Sequence, residues 1–284
     1  MKFFVQIFFL ISFSTIAFSQ NTVYQWYDKN GNKISIYDSI PALENADFVF
    51  FGELHTDSIA HWWELELTQQ LYKKHKQNLI LGAEMFETDN QMIVDEFLAG
   101  YFDNGIFEKE CRLWNNYKKD YKPLMTFARE NKLKFIATNT PNRYAKMVFR
   151  NGIESLDGLS ATAKTFLPPL PIPIDINVNC YKKMMDMDLD HVNENLPKAQ
   201  AVKDATMSYF ILQNYKKGNH FLHFNGSYHS DNKEGIIYYL SKKVDKKSIK
   251  SISCVHQTNV GKLEENNQQI ADFILCIYNE KAEK

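Results

Sequence analysis

Three side chains that can bind a metal or move a proton lie within nine residues early in the chain. Glu53 and His55 come directly after Gly52, and His61 follows six residues after His55. Gly52 allows a sharp exit from a strand, and an extended backbone would place Glu53 and His55 on the same side. A carboxylate and two imidazoles near the positive end of a helix can bind a divalent metal or activate a water molecule. The alternative is structural: Glu53 and His55 tie the strand to its neighbours, and His61 lies on a helix surface.

Residues of the same kinds recur at three later points in the chain. Glu84 and Asn139 each follow an apolar run, and Asn225 precedes His229 by four residues. Burial of an unpaired carboxylate costs several kcal/mol, so Glu84 needs a partner. A desolvated Glu beside a His forms a pair whose pKa values are pushed apart, as an acid and a base require. His223, inside the last apolar run, is expected to lie in the core.

Each of these polar residues follows a short apolar run that is typical of a buried strand. The runs are residues 47–51, 79–81, 135–137 and 221–224. In an open α/β sheet the carboxyl ends of parallel strands face a common crevice, where ligands bind. We therefore expect four side chains to share one crevice, either as catalytic groups or as ligands of a divalent metal such as Zn, Mn or Co. These four are Glu53, His55, Glu84 and His229, with His61, Asn139 and Asn225 in support.

The elements between these runs predict the fold class. Asp57 or Ser58 can cap a helix in which apolar residues recur every four positions, and a second helix is expected between Asp89 and Gly100. Strands that alternate with helices indicate a parallel sheet. The sequence therefore predicts an α/β fold with an open, mainly parallel sheet flanked by helices.

Strands of a different kind are expected at the two ends of this sheet. Asn30-Gly31 predicts a β-hairpin between residues 23–27 and 33–37, ahead of the main sheet. Residues 248–255 and 270–278 predict two further strands at a sheet edge.

The segment at about residues 141–215 has a different character. Four prolines between residues 168 and 173 exclude a helix interior or a central strand there, because proline lacks the backbone donor and fixes φ. Helical patterns follow these prolines. We expect a small helical subdomain or lid, inserted into one α/β domain that spans residues 20–284.

The first nineteen residues are expected to be a signal peptide. Lys2 precedes an apolar stretch at residues 3–18, and the small residues Ala17 and Ser19 predict cleavage before Gln20. An uncleaved anchor is the alternative, and in either case the domain lies outside the cytoplasm. No cysteine follows the apolar stretch, so a periplasmic or outer-membrane-associated form has no visible lipid-attachment site.

Charge and cysteine content narrow the range of partners. The formal charge is -1, and loss of Lys2 with the signal peptide makes it -2, so no global field draws the chain to nucleic acid or to an anionic membrane. Small molecules are the expected partners.

Four cysteines are too few for a disulfide scaffold and form no C-x-x-C pair, although one bridge between Cys254 and Cys276 is possible.

The collinear order of several short motifs resembles the ChaN-like haem-binding uptake family, which belongs to a superfamily with the Tiki proteases and the erythromycin esterases. The similarity covers roughly residues 30–245. The motifs are Phe51-Gly52-Glu53-Leu54-His55-Thr56-Asp57 with His61, Gly82-Ala83-Glu84-Met85-Phe86 with Gln91 and Gly100, Trp114, Tyr117, Tyr121-Lys122-Pro123-Leu124, Phe127-Ala128-Arg129, Asn139-Thr140-Pro141-Asn142-Arg143, Gln200-Ala201-Val202-Lys203-Asp204-Ala205-Thr206-Met207 and Gly226-Ser227-Tyr228-His229.

The resemblance implies an exported haem-binding protein in iron acquisition. It further implies a tyrosine ligand to haem, a homodimer with a stacked haem pair and contact with outer-membrane uptake machinery. Tyr181 and Tyr209, in the expected helical subdomain, are the candidate haem ligands, and the alternative is that both side chains only pack in the core. Arg143 and Asp204 lie in matched motifs and are expected to support the site.

Two other functions are compatible with the same residues. The superfamily contains metal-dependent proteases and esterases, and by that resemblance the four crevice residues would form the metal or acid-base set of a hydrolase. The third possibility is a cell-surface interaction protein in which the polar crevice is only a hydrogen-bond network.

Overall fold

The structure of the protein is a computed structural model that describes residues 22–185 and 193–282. The predicted signal peptide at residues 1–19 lies outside these ranges. Within them, no helix combines the length and the apolar character that a membrane crossing requires.

Eight strands in the described ranges form a single sheet. They are β1 (Tyr24–Asp28), β2 (Lys33–Ile34), β3 (Phe48–Glu53), β4 (Leu79–Glu87), β5 (Lys134–Asn139), β6 (His220–Gly226), β7 (Ile249–Gln257) and β8 (Phe273–Tyr278). Their order across the sheet is β2-β1-β8-β7-β3-β6-β4-β5. Strands β3 to β8 pair in parallel, whereas β1 is antiparallel to both β2 and β8. The predicted open, mainly parallel sheet is therefore confirmed.

Helices cover both faces of this sheet. In the described ranges they are α1 (Ile36–Glu44), α2 (Ser58–His75), α3 (Gln91–Leu98), α4 (Asn104–Glu110), α5 (Tyr117–Asp120), α6 (Lys122–Glu130), α7 (Asn142–Asn151), α8 (Ala161–Lys164), α9 (Asn179–Met185), α10 (Asn195–Asn214) and α11 (Ile236–Leu240). Alternate residues of β3 enter opposite layers: Val49 and Phe51 pack under α2 and α6, whereas Phe48 and Phe50 pack with α10 and α11. Burial on both faces explains why the strands are continuous apolar runs.

The two predicted helices after β3 and β4 are confirmed. The Asp57 side chain caps α2 by accepting hydrogen bonds from the backbone N–H groups of Ile59 and Ala60, at 2.9 and 3.0 Å. Helix α3 buries Val94 and Phe97 and is followed by Gly100, whose φ of +83° suits glycine at a helix end.

The strands at the ends of the sheet differ from the prediction in two ways. The second hairpin strand has only two residues, because Ser35 already occupies the N-cap of α1. The hairpin also joins the main sheet, since β1 pairs with β8 from Tyr24↔Ile277 to Asp28↔Phe273. The two late strands are therefore interior strands, and the prediction that they form an edge is wrong.

The possible bridge between Cys254 and Cys276 does not form. All four cysteines are free and buried. In the register of β7 and β8, Cys254 lies opposite Leu275 and Val255 lies opposite Cys276. Because neighbouring residues of a strand point to opposite faces, the two thiols lie on different sides of the sheet.

Helices α7 to α10 surround a second apolar cluster outside the sheet. Tyr144, Val148 and Tyr181 belong to this cluster, together with Val202 from the first half of α10. The second half of α10 instead packs Met207 against the sheet. The division of the chain into one domain with an inserted subdomain or lid stays a prediction.

Candidate functional site

The polar crevice forms at the carboxyl ends of β3, β6 and β4, which are adjacent in the sheet. Glu53 ends β3 opposite Gly226 of β6, and the Gly226 N–H donates a 2.8 Å hydrogen bond to Glu84 Oε2 from β4. A methyl group at Gly226 would come within 2.7 Å of the His55 ring and 3.6 Å of Glu84 Oε2. The strand ends therefore bring Glu53, His55 and Glu84 together, and His229 contacts Glu84 directly, at 3.1 Å.

His55 is the exposed histidine of the crevice, with 41% of its side chain accessible. Its Nδ1–H donates to Glu53 Oε1 at 2.6 Å, and the Tyr121 hydroxyl donates to the same oxygen at 2.7 Å. The ring packs edge-on against Trp114. Nε2 has no hydrogen-bond partner among the described residues, and its edge of the ring lies over Gly226. Burial lowers the pKa of His55, but the hydrogen bond to Glu53 and the charge of Glu84 outweigh it and raise the pKa, so His55 can accept a proton.

His229 is buried and lies between two carboxylates. Its Nε2 is 3.1 Å from Glu84 Oε1, and its Nδ1 contacts Asp204, which also accepts a 2.7 Å hydrogen bond from the Tyr181 hydroxyl. Burial lowers the pKa of His229, but the charges of Glu84 and Asp204 outweigh it and raise the pKa to about 10. Burial raises the pKa of Glu84, but the charge and hydrogen bond of His229 outweigh it and lower the pKa to about 2. His229 is thus an imidazolium at neutral pH, and its charge is balanced by Glu84 and Asp204, which contact its two ring nitrogens.

A second buried cluster lies behind His55, where Glu53 meets His61 and Glu64. His61 Nδ1 is 3.0 Å from Glu64 Oε2 and 3.3 Å from Glu53 Oε2. Among the described residues this is the group of three whose ligand atoms all lie within 4.8 Å of one another. The predicted metal set of Glu53, His55, Glu84 and His229 does not form such a group, and His61 is buried and not on a helix surface.

Sequence reasoning missed Glu64. The available signal was its spacing of three from His61 on one helix, which places both side chains on the same face. Glu64 is completely buried on α2, while Trp62, two residues before it on the same helix, is 51% exposed.

Two predicted supporting residues hold the strand ends in place. Asn139 donates a 2.9 Å hydrogen bond to the backbone carbonyl of Glu84. Asn225 donates to Ser230 Oγ at 3.0 Å and accepts from His223 Nδ1 at 3.0 Å. Burial lowers the pKa of His223 to about 4, so this ring is a neutral core residue, as expected.

Three other predicted residues lie away from the mouth of the crevice. Arg143 is half exposed and pairs with Asp89, which also pairs with Arg112. Tyr181 is completely buried and its hydroxyl is committed to Asp204, so the structure places it behind His229 and not on a face open to haem. Tyr209 is half buried on α10, where its ring packs against Phe210.

The fold and these strand ends define a class of protein, and comparison with known families agrees with it. Residues 39–240 match the family described as haem-binding uptake, Tiki superfamily, ChaN. This match covers more than half of the chain and includes every crevice residue. The protein belongs to this family.

Individual proteins of known structure are similar to this chain at low sequence identity. The ChaN of Campylobacter jejuni, known from a structure of cofacial haem binding, is similar over 91% of this chain and 98% of its own, at 19% identity and a TM-score of 0.67. An erythromycin esterase in its open conformation is similar over 83% of this chain and 77% of its own, at 10% identity and a TM-score of 0.50. At these sequence identities, the similarities show a shared fold and nothing further.

A curated relative found by sequence similarity is the chloroplastic protein RETICULATA-RELATED 5 of Arabidopsis thaliana. It is 24% identical over an alignment of 189 residues that covers 60% of this chain. The match spans 25% of that protein's length.

Proposed function

We propose that this protein is an exported haem-binding protein that serves iron acquisition. The observation that carries the proposal is the family match over residues 39–240, which contains both the crevice motifs and the helices around them. The apolar stretch and cleavage pattern of residues 1–19 support export. Contact with outer-membrane uptake machinery is part of the proposal, because exported haem must still cross a membrane to release iron to the cell.

The crevice itself is a poor place for haem. His55 Nε2 lies against Gly226, and Glu84 and His229 are within hydrogen-bonding distance of each other. A flat apolar macrocycle would have to separate this ion pair, and a buried charge left unpaired is strongly destabilising. The haem is therefore placed outside the crevice.

An aromatic groove beside β1 has residues that fit haem better, and all of its lining except Trp63 precedes the matched residues 39–240. The groove has a volume of about 660 Å³, within the range of ligand pockets. It is lined by Thr22, Val23, Tyr24, Gln25, Trp26, Ile34, Ser35, Ile36, Tyr37 and Trp63. The Trp63 ring lies edge-on to both Tyr24 and Trp26, and Tyr37 packs on it at 6.0 Å between centroids. Aromatic walls suit a porphyrin, and a tyrosine oxygen is a known axial ligand of haem iron.

Tyr37 is the better placed of the two tyrosines in the aromatic groove to bind iron. Its side chain is half exposed, and its hydroxyl makes a single long hydrogen bond, 3.3 Å, to Glu66. Burial and the neighbouring Glu66 carboxylate raise the pKa of Tyr37, so binding to iron would have to displace the phenolic proton. A haem in this open groove keeps one face uncovered, which a second haem on a second subunit would cover, so a homodimer is part of the proposal.

Haemin titration of the purified protein, followed by its absorption spectrum, tests the proposal. We expect stoichiometric binding with a tyrosinate charge-transfer band that Tyr37→Phe removes or weakens at least tenfold. Tyr101→Phe is the matched control, because Tyr101 is 77% exposed and lies outside the groove. The double change His55→Ala with His229→Ala should leave the spectrum nearly unchanged. Loss of haem in the double His variant while it remains folded would move the haem into the crevice, and absence of haemin binding would overturn the function.

A metal-dependent or acid-base hydrolase at the crevice is a second candidate function, favoured by one observation. Glu53 orients His55 by accepting the hydrogen bond from its Nδ1, and Nε2 has no hydrogen-bond partner among the described residues. An imidazole that is oriented by a carboxylate and has a free nitrogen can accept a proton from water as a general base. Hydrolysis of ester and peptide substrates that His55→Gln abolishes, with haemin binding unaffected, would establish it.

A further inference from the structure

The buried cluster of Glu53, His61 and Glu64 has the features of a cation site. We propose that these three residues bind one divalent metal ion, Zn²⁺ or Mn²⁺, directly behind His55. This site differs from the crevice and from the aromatic groove, and it does not depend on whether the protein binds haem.

The orientation of His61 is the first argument. Its Nε2 is 3.0 Å from the backbone carbonyl of His55, and a carbonyl only accepts, so Nε2 carries the hydrogen. In the neutral ring, Nδ1 then has a lone pair, and this lone pair faces Glu53 and Glu64. Three electron-rich atoms pointing at one another need either a shared proton or a cation between them. A histidine that donates its other N–H to a backbone carbonyl is the usual arrangement of a metal ligand.

The distances provide the second argument. Ligand atoms that lie about 2.0–2.2 Å from a metal, at angles between about 90° and 110°, are separated by roughly 2.8–3.6 Å. The observed separations from His61 Nδ1 are 3.0 Å to Glu64 and 3.3 Å to Glu53. The side chains therefore already stand at ligand spacing.

Unpartnered oxygens provide the third argument. Glu53 Oε2 and Glu64 Oε1 are buried without a hydrogen-bond partner, and the two residues are 1% and 0% exposed. Asp120 adds a further negative charge, 3.8 Å from His61 Nε2. Carboxylates buried in this way are costly unless they are paired or coordinate a metal.

Glu53 would then connect the metal to the crevice. Its Oε1 accepts from His55 and from Tyr121, while its Oε2 faces His61. A metal on Oε2 would fix the carboxylate and hence the orientation of His55. The metal is a positioning element for His55 in this arrangement and contacts no ligand of the crevice.

Metal analysis of the full folded protein tests the site. The protein is stripped with a chelator, incubated with Zn²⁺ or Mn²⁺, passed through a desalting column and assayed for bound metal. We expect one equivalent in the unchanged protein and at least a tenfold weaker affinity in Glu64→Gln and His61→Asn. Glu66→Gln on the same helix and Glu84→Gln in the crevice are the controls and should retain the metal.

Each outcome decides between the alternatives. Absence of retained metal in the folded protein would overturn the proposal and show that Glu53 and Glu64 share a proton. Loss of metal in Glu84→Gln but not in Glu64→Gln would overturn it in favour of the crevice. If the Glu64 and His61 variants do not fold, Co²⁺ binding to the unchanged protein is measured in place of the variant comparison. Visible d–d bands of a site with nitrogen and oxygen ligands, together with a raised Tm, support the proposal. The absence of these bands and of the Tm shift overturns it.

Discussion

Glu53 is the residue that joins the two polar clusters, because each of its oxygens faces a different histidine. Oε1 holds His55 at 2.6 Å, and Oε2 faces His61 at 3.3 Å. Burial raises the pKa of Glu53, but the effects of its neighbours Glu64, His55 and His61 outweigh it and lower the pKa. One carboxylate therefore sets the charge state of an exposed imidazole and of a buried cluster at the same time.

The Glu53→Gln variant tests the effect on His55. The amide has no charge, so the pKa of His55 is expected to fall from its raised value towards or below that of free imidazole. An NMR titration of the His55 ring protons measures this pKa. Glu110→Gln, a change at an exposed position, is the control and should leave the pKa of His55 unchanged. An unchanged His55 pKa in Glu53→Gln would show that Glu84, and not Glu53, supplies the dominant charge.

The Glu84–His229 pair predicts a pH window of stability. The pKa of Glu84 falls from 4.5 to about 2 on folding, so its contribution is present above pH 4.5 and lost as the pH falls towards 2. The pKa of His229 rises from 6.5 to about 10, so its contribution is present below pH 6.5 and lost as the pH rises towards 10. Both contributions are complete only between about pH 4.5 and 6.5.

Denaturant unfolding of the unchanged protein and of Glu84→Gln, from pH 3 to pH 9, checks this window. We expect Glu84→Gln to lower the free energy of unfolding by about 3 kcal/mol near pH 5.5, because a buried ion pair loses one partner. The difference between the two proteins should shrink towards both ends of the pH range. A difference that does not vary with pH would mean that Glu84 acts through its hydrogen bond to Gly226 and not through its charge.

At the scale of elements, the end of β6 has no room for a side chain. Gly226 has a φ of -54°, which any residue can adopt, so the backbone conformation does not require glycine. The requirement is space, since an added methyl group would meet His55 at 2.7 Å. The missing side chain at Gly226 therefore leaves the space that the His55 ring occupies.

The Gly226→Ala variant should displace His55 at a cost of about 1–3 kcal/mol, the usual range for overpacking. Gly158→Ala is the matched control, because a methyl group there meets nothing within 4 Å, and it should be nearly neutral. Thermal unfolding gives the stability change, and the fluorescence of Trp114, which contacts His55, reports the displaced ring. Equal stability and equal fluorescence in the two variants would contradict the claim that the His55 ring needs the space at Gly226.

The strand ends and helix caps of this protein could be predicted from its sequence because their signals are local. Asp57 lies directly before the helix that it caps, and the apolar runs stop where the polar residues begin. The spacing of Glu64 from His61 is a local signal, but the meeting of Glu64 with Glu53 could not be predicted, because it depends on the packing of β3 against α2. The burial of Tyr181 could not be predicted for the same reason, since its partner Asp204 lies on a different helix.

At the scale of the whole molecule, the four cysteines are distributed through the core without pairing. Burial raises the pKa of Cys111, Cys180 and Cys276 to about 12, and raises that of Cys254 as well. A thiol reacts as the thiolate, so buried thiols with raised pKa values are inert.

Thiol titration with a chromogenic disulfide reagent tests this arrangement. The native protein should show no rapidly reacting thiol at pH 8, and the denatured protein should show four. Two thiols after denaturation without reductant would reveal a bridge. A fast-reacting thiol in the native state would mean that a part of the core opens easily.

The pairing of β1 with β8 has a consequence for how the protein is made. Residues 24–28 find their partner strand only at residues 273–278, so the sheet cannot be completed until almost the entire chain has been synthesised. Pairing between such distant segments is slow, because a long loop must close before the contacts form. The pairing of β1 with β8 is therefore expected to form after the central parallel strands, because β8 must be in place before the N-terminal hairpin can join the sheet.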